Sequence, residues 1–170
     1  LGEFVLPYDA VRTAPDPRLT IRFLRPLPSA LVWLDHRLFA YDTLGPHLLS
    51  LLWWAAAVLA AHALYRTAVG GRAAVVATTV FALSPTLAIP IVWLANRDAL
   101  LTLTFGASAL ALYVRWRRDR RRAFGLASAV GFGVSALTGE YAICLVGYVA
   151  AFELFHRGES GRGRLIGTLP

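Results

Sequence analysis

Four charged residues are of types, and in positions, that could carry chemistry. Asp9 follows Pro7-Tyr8, Arg97 and Asp98 stand together at the head of a long apolar stretch, and Glu140 interrupts another apolar stretch. A guanidinium such as that of Arg97 can hold phosphate oxygens through two parallel hydrogen bonds. A carboxylate drawn into a membrane is a functional candidate that needs a partner, and Arg97 or Arg25 is the expected partner of Glu140. The residue types therefore indicate anion binding beside carboxylates.

Each candidate also has a plainer interpretation. Asp9 could be a solvated loop residue. Arg97 and Asp98 could form a mutual or neighbouring ion pair at the membrane boundary, and Glu140 could be a charge at the tip of a hairpin. Two further polar residues, Asp35 and His36, are expected to pair with Arg37 or Arg25, or to face water.

The amino-acid composition indicates whether these residues belong to a soluble protein or to a membrane protein. Of 170 residues, 57% are hydrophobic and 16% charged, with a mean hydropathy of +0.57. Soluble domains carry about 25% charged residues. The apolar residues form long blocks, as a bilayer requires. We therefore predict an all-α fold, a polytopic bundle of transmembrane helices.

The net charge of +7 does not indicate a nucleic-acid partner, because the charge is concentrated in one short loop. Six arginines fall within Arg115–Arg122, between two apolar blocks, as the positive-inside rule predicts for a cytoplasmic loop. The single Cys144 offers neither an internal disulfide nor a metal site. We expect an integral protein of a bacterial cytoplasmic membrane.

The chain divides into three parts. Residues 1–46 are predicted to be a non-cytoplasmic loop with a short amphipathic, interfacial helix over Ser29–Tyr41. Residues 47–157 are predicted to form a transmembrane domain of about five membrane segments, one of them broken by prolines near 84–90. Residues 158–170 are predicted to be a cytoplasmic tail or loop, and the chain is expected to be a fragment of a longer protein. With Arg115–Arg122 inside, residues 1–46, the break and Glu140 all fall on the outer side.

Five short motifs then resemble a known family. They are Phe23-Leu24-Arg25-Pro26-Leu27-Pro28-Ser29, Leu34-Asp35-His36-Arg37-Leu38-Phe39, Gly45-Pro46-His47-Leu48, Phe81-Ala82-Leu83-Ser84-Pro85, and Val92-Trp93-Leu94-Ala95-Asn96-Arg97-Asp98-Ala99-Leu100. In this order, over roughly residues 23 to 145, the series is similar to that of the C-type glycosyltransferases. The branch is the one related to protein O-mannosyltransferases and to the membrane part of tetratricopeptide-repeat mannosyltransferases.

The resemblance implies transfer of a sugar from a polyprenyl-phosphate donor to a protein or glycan acceptor on the outer face of the membrane. It implies that Asp9 is the general base that deprotonates the acceptor hydroxyl. Arg97 and Arg25 would stabilise the departing lipid phosphate, with Asp98 among the substrate-binding residues. Glu140 would orient a basic group or the acceptor. We predict no cofactor, and a requirement for metal stays open.

The sequence also departs from the family pattern. Ser84 stands where the family has His, Ile89 where an acid is usual, and Gly139 where a basic residue precedes the glutamate. Three alternatives therefore stay open: an inactive relative, a non-catalytic membrane scaffold that binds lipid or a partner, and a transporter with its substrate site at the break. The enzyme hypothesis requires Asp9, Arg97 and Glu140 to converge on one outward cavity.

Overall fold

The computed structural model describes residues 3–4, 21–22, 25–39 and 42–166, with side chains described for 25–39 and 42–154. The fold is all-α, as predicted. Its helices are α1 (Pro26–Phe39), α2 (Leu44–Ala68), α3 (Gly71–Ala82), α4 (Ala88–Val92), α5 (Arg97–Asp119), α6 (Arg122–Ala136) and α7 (Ile143–Ile166). Short 3₁₀ turns lie at Pro85–Leu87, Leu94–Asn96 and Glu140–Ala142. Two short strands, β1 (Glu3–Phe4) and β2 (Ile21–Arg22), pair antiparallel with Glu3 opposite Arg22.

Helix α1 begins three residues earlier than the predicted Ser29, at Pro26. Proline is suited to the first helical position because its fixed φ is already helical and its missing N–H would have had no partner there. The helix ends at Phe39, and the predicted end, Tyr41, lies outside the described residues.

Two helical stretches are long and apolar enough to cross a membrane, Leu44–Ala68 and Leu94–Asp119. A third crossing is possible if α3 and the segment Pro85–Val92, bent by 50° relative to each other, form one span. The bend follows from Pro85. The residue before a proline is held in extended backbone, and Ser84 accordingly has φ −65° and ψ 127°, so α3 ends just before it. These counts cover only the part of the chain that the structure describes.

Helix α5 is the centre of the bundle, packed between α2 and α6. Half of the apolar, membrane-spanning stretch that contains α5 is buried inside the bundle, against 22% of the stretch in α2. Small residues permit this packing: a Cβ on Gly131 of α6 would meet the Cβ of Ala109 at 3.0 Å. Two buried hydroxyls of α6 then donate to carbonyls of α5, Ser128 to Ala109 (2.9 Å) and Ser135 to Thr102 (3.1 Å). Close packing and interhelical hydrogen bonds of this kind hold helices together in lipid, where no hydrophobic force acts between them.

Candidate functional site

The first turn of α5 directs two adjacent charged side chains to different parts of the protein. Successive helical residues project about 100° apart. Arg97 and Asp98 are both buried, with 4% and 1% of their surfaces exposed. Their partners lie on different elements, so the mutual ion pair considered from the sequence does not form.

Arg97 is the centre of a buried network that joins α1 and α2 to α5. Its Nη1 donates to Asp35 Oδ2 at 2.5 Å, its Nη2 to the carbonyl of Pro46 at 2.8 Å, and its Nε to Ser50 Oγ at 3.1 Å. Ser50 donates in turn to the same Pro46 carbonyl, at 3.2 Å. We call Arg97, Asp35, Ser50 and Pro46 the Arg97 network. The prediction that Asp35 would pair with Arg37 or Arg25, or face water, was wrong, because Asp35 lies on the inward side of α1, where Arg97 approaches it.

Asp98 takes part in a second group of charges, which we call the Arg25 cluster: Arg25, Asp98 and Glu140. Arg25 Nη1 lies 2.9 Å from Asp98 Oδ2. Arg25 also binds Glu140 through two atoms, Nε to Oε2 at 3.0 Å and Nη2 to Oε1. Arg25, immediately before α1, thus joins the start of α5 to the turn between α6 and α7.

Backbone geometry brings Arg25 to that turn. The N–H of Leu27 donates to the carbonyl of Leu137 at 3.3 Å, which fixes the start of α1 against the end of α6. Gly139 then turns the chain with φ 150° and ψ −176°, a conformation that is essentially restricted to glycine. A Cβ at Gly139 would lie 3.4 Å from Arg25 Nε and 3.5 Å from Asp98 Oδ2. The turn therefore passes directly over the charged groups.

The Arg25 cluster differs from the Arg97 network in exposure. The side chains of Arg25 and Glu140 are 25% and 49% exposed, whereas Asp98 is buried. The hydrogen bond from Arg25 lowers the pKa of Glu140, and the same bond raises the pKa of Arg25. Glu140 is therefore ionised at neutral pH. Because one guanidinium lies between two carboxylates, the cluster carries one excess negative charge when both carboxylates are ionised.

Two cavities adjoin these groups. An open, largely apolar groove of about 950 Å³ lies between α6 and α7, and Gly139 and Glu140 line its charged end. A smaller cavity of about 390 Å³ lies beside α1, where Asp35 and Arg97 form part of its wall. Arg97 and Glu140 thus border separate cavities, and the expectation that they would converge on one cavity does not hold for these two residues.

The predicted site residues fall into three groups. Arg25, Asp98 and Glu140 come together, and Glu140 pairs with one of its two expected partners. Arg97 lies apart from them in the Arg97 network. Asp9 lies outside the described residues, so its predicted role stays a prediction.

Sequence reasoning missed several polar partners. Thr102 and Thr138 are buried and hydrogen-bonded at 2.5 Å behind the Arg25 cluster. Near the far end of α5, Glu153 accepts from Tyr113 (2.8 Å) and Arg117 (2.7 Å), tying α7 to α5. The hydroxyls lie within apolar runs and give no signal at the sequence level. Glu153 could have been recognised as a candidate, because it is an acid near the end of an apolar stretch. Among the side chains of residues 25–39 and 42–154, no three His, Cys, Asp or Glu groups converge as metal ligands would.

Long apolar helices with charged groups gathered where their ends meet define an integral membrane protein with a polar site at the helix ends. The family model of the dolichyl-phosphate-mannose-protein mannosyltransferases matches residues 24–164, and the chain belongs to this family. The family is one of membrane glycosyltransferases of the C type, as the sequence motifs indicated. No curated protein and no solved structure matches the chain.

Proposed function

We propose that the protein transfers a sugar from a polyprenyl-phosphate carrier to a protein or glycan acceptor on the non-cytoplasmic face of the membrane. The observation that carries the proposal is the family match, which spans both the Arg25 cluster and the Arg97 network. The apolar groove ending at Glu140 supports it, because an amphipathic substrate needs an apolar channel that leads to a polar end.

In this proposal the acceptor oxygen attacks the anomeric carbon of the donor sugar as the bond from that carbon to the phosphate oxygen breaks. The hydroxyl proton passes to Asp9, and the phosphate departs with the bonding electrons. Charge then develops on the phosphate, where a positioned guanidinium lowers the barrier.

Arg25 is the better placed of the two arginines to receive that phosphate. Its side chain is 25% exposed and shares an exposed carboxylate, Glu140, which water can solvate when Arg25 turns to the phosphate. Arg97 is 5% exposed in its side chain and already makes three hydrogen bonds. We therefore propose that Arg97 positions α1 and α5, and that Asp98 holds Arg25 in place. Glu140 would orient the acceptor.

A non-catalytic relative is the second candidate, and two observations favour it. Arg97 and Glu140 border separate cavities. Arg25 already faces two carboxylates, which compete with an anionic phosphate for its guanidinium. A scaffold that uses these charges only to join helices would show the same contacts.

The test is transfer of radiolabelled sugar from polyprenyl-phosphate donors in membranes that contain the protein. Asp9→Asn should lower kcat about 10²–10⁴-fold, the usual contribution of a general base. Arg25→Gln should lower it about 10²–10³-fold, as the loss of one transition-state donor does. Asp16→Asn, in the same outer segment, and Arg66→Gln, at the opposite end of α2, are the matched controls.

The outcomes separate the candidates at equal expression. Loss of transfer in Asp9→Asn and Arg25→Gln, with both controls active, supports the enzyme and its site. Transfer that survives both changes keeps the enzyme and overturns the assignment of Asp9 and Arg25. Absence of transfer by the wild type with every donor favours the scaffold.

A further inference from the structure

The smaller cavity, beside α1, combines buried and exposed polar groups. It has a volume of about 390 Å³ and is lined by residues of α1, of the start of α2 and of the turn before α5. Asp35, Pro46 and Arg97 are the buried residues of its wall. His36 and Asp42 are exposed residues of the same wall. The inner part of the cavity thus belongs to the Arg97 network, and its outer part carries an imidazole and a second acid.

The charged groups of this cavity do not suit an anion. Arg97 is the one guanidinium among the described residues of the wall, and its N–H groups already bind Asp35, Ser50 and the carbonyl of Pro46. Asp35 balances the charge of Arg97, and Asp42 adds a further negative charge. A phosphate in the cavity would be repelled by both carboxylates at short range. The ligand that fits here is therefore not the phosphate of a lipid carrier.

The polar groups of the wall offer acceptors for hydroxyl donors. Asp35 Oδ2 binds Arg97, but Asp35 Oδ1 is buried and has no hydrogen-bond partner among the described residues. Asp42 Oδ1 accepts the N–H of Leu44 at 3.0 Å, which fixes this carboxylate at the start of α2. The neutral imidazole of His36 has one donor and one acceptor. Because a buried acceptor without a donor is unfavourable, a ligand hydroxyl that donates to Asp35 is stabilised.

The rest of the wall is apolar and small. Val32, Leu94 and Ala95 line the cavity together with the ring of Pro46. A sugar ring has both kinds of surface that the cavity offers, because its edge carries hydroxyl groups and its face carries C–H bonds. Ligand cavities measure roughly 300–1,000 Å³. A volume of about 390 Å³ lies near the lower end of that range and suits a single ring.

We propose that this cavity binds one uncharged sugar ring of a glycan, with hydroxyls towards Asp35, His36 and Asp42 and the C–H face against the apolar wall. Because the cavity is separate from the groove at Glu140, the ring bound here is not the ring that reacts beside the Arg25 cluster. Its use rests on the proposed function: a non-reacting ring held in the cavity anchors the acceptor. The acceptor is then a glycan and not a protein.

Two other ligands share part of this chemistry. A primary ammonium group would also donate to the carboxylates, and a Ser or Thr side chain of a protein would supply one hydroxyl. An ammonium group brings a positive charge close to the guanidinium of Arg97. A single hydroxyl reaches fewer of the polar groups that Asp35, His36 and Asp42 present. A sugar ring carries several hydroxyls and no charge, and it avoids both disadvantages.

The experiment measures ligand binding to the protein in lipid nanodiscs by saturation-transfer NMR. The probes are the methyl glycosides of mannose, glucose and galactose, with ethanolamine and a capped threonine tripeptide as the competing ligands. Asp42→Asn removes a charge but keeps an oxygen that can cap α2, and His36→Ala removes the imidazole. Asp119→Asn and His47→Ala, exposed residues that do not line the cavity, are the matched controls. Ala95→Trp fills the cavity.

We expect at least one methyl glycoside to bind with a Kd of about 1 mM, the affinity that about a dozen ligand atoms supply. Asp42→Asn and His36→Ala should each weaken that binding about three- to tenfold, as the loss of one hydrogen bond does. Ala95→Trp should abolish it, and both controls should leave it unchanged.

Four results would overturn the proposal: no glycoside binding by the wild type, binding that survives Ala95→Trp, preference for ethanolamine, and preference for the threonine peptide. Sugar transfer by the same discs is measured separately. Transfer without glycoside binding would keep the proposed function and overturn the cavity site. Glycoside binding that is lost in Ala95→Trp, in discs that transfer no sugar from any donor, would support the cavity site and count against the proposed function.

Discussion

The two charged regions at the start of α5 both pair an arginine with carboxylates, but they differ in burial. In the Arg97 network, one guanidinium meets one carboxylate, a hydroxyl and a carbonyl in a buried space, and the two charges are balanced. In the Arg25 cluster, one guanidinium meets two described carboxylates, one buried and one half-exposed. Balance and burial suit a permanent joint between helices. A partly exposed ion pair at an open groove suits a group that exchanges partners.

The difference follows from which elements meet at each residue. Arg97 faces α1 and the first turns of α2, which close around it. Asp98 faces the turn at Gly139, where the chain has no side chain to fill the space. Two consecutive residues of α5 therefore belong to different regions. We call the buried region around Arg97 sealed and the partly exposed region around Arg25 accessible. Substitutions in the sealed region should lower the stability of the fold more than substitutions of exposed groups in the accessible one.

The largest expected effect is in the sealed region. Arg97→Met should destabilise the fold by about 3–5 kcal/mol, because it leaves the Asp35 carboxylate buried without its cation. The double variant Asp35→Leu/Arg97→Met should be less destabilised than Arg97→Met alone, since it removes the uncompensated charge. The measurement is reversible unfolding in bicelles, analysed as a double-mutant cycle.

Glu140→Gln supplies the contrast for that prediction. Glu140 is half-exposed, and its replacement leaves Arg25 paired with the buried Asp98, so the loss of stability should be well below that of Arg97→Met. Equal losses for Glu140→Gln and Arg97→Met would contradict the distinction between a sealed and an accessible region.

The turn over the Arg25 cluster should show the next largest effect. Gly139→Ala forces a side chain into a backbone region essentially restricted to glycine, at a cost of about 1–3 kcal/mol. Gly133→Ala is the matched control, because it lies within α6 with nothing within 4 Å of the added Cβ. It should be neutral or stabilising by up to about 1 kcal/mol. Both are measured by the same unfolding assay, and a Gly139→Ala variant as stable as Gly133→Ala would show that the turn can relax.

A smaller effect is expected where α6 meets α5 behind the cluster. Ser135→Ala removes the hydrogen bond to the Thr102 carbonyl and should cost about 0.5–1.5 kcal/mol. Thr79→Val is the control, because that hydroxyl is exposed and bonds only within its own helix. If both variants lower the free energy of unfolding by the same amount, the hydrogen bond of Ser135 between helices contributes no more than the bond that Thr79 makes within its own helix.

The sequence predicted the class of fold and part of the site, for reasons that are physical. Long apolar runs and the Arg115–Arg122 loop follow from the bilayer and need no tertiary information. Pro85 determines its own local break. Partners that are distant in the sequence cannot be predicted in this way. Asp35 was expected to pair with Arg37 or Arg25, or to face water, but the direction in which its side chain points depends on how α1 packs.

Hydroxyls such as that of Ser135 were missed for the same reason. Their partners are carbonyls of another helix, and every helix offers carbonyls at all positions. The prediction that Glu140 would pair with Arg97 or Arg25 included the partner that the structure shows, Arg25, because an acid between apolar spans has few possible partners. Because charged residues are few in the apolar part of such a chain, the partner of each one is easier to predict.

The smallest effect, and the most specific one, concerns the titration of Glu140. The hydrogen bond from Arg25 lowers the pKa of Glu140 below its ordinary value of 4.5. A carboxylate with a lowered folded-state pKa contributes stability that is present above pH 4.5 and is lost as the pH falls through the lower folded-state value. Because the pair is exposed, that contribution should be about 0–1 kcal/mol. Arg25→Gln removes the donor, so the pKa of Glu140 should rise towards 4.5, which carbon-13 NMR titration of labelled glutamate measures directly. Arg37→Gln, at an exposed position in the last turn of α1, should leave the pKa of Glu140 unchanged. If the pKa of Glu140 is the same with and without the Arg25 guanidinium, the pair of Arg25 and Glu140 does not persist in the bilayer. The Arg97 network would then be the only one of the two regions that holds a stable ion pair to an acid outside the start of α5.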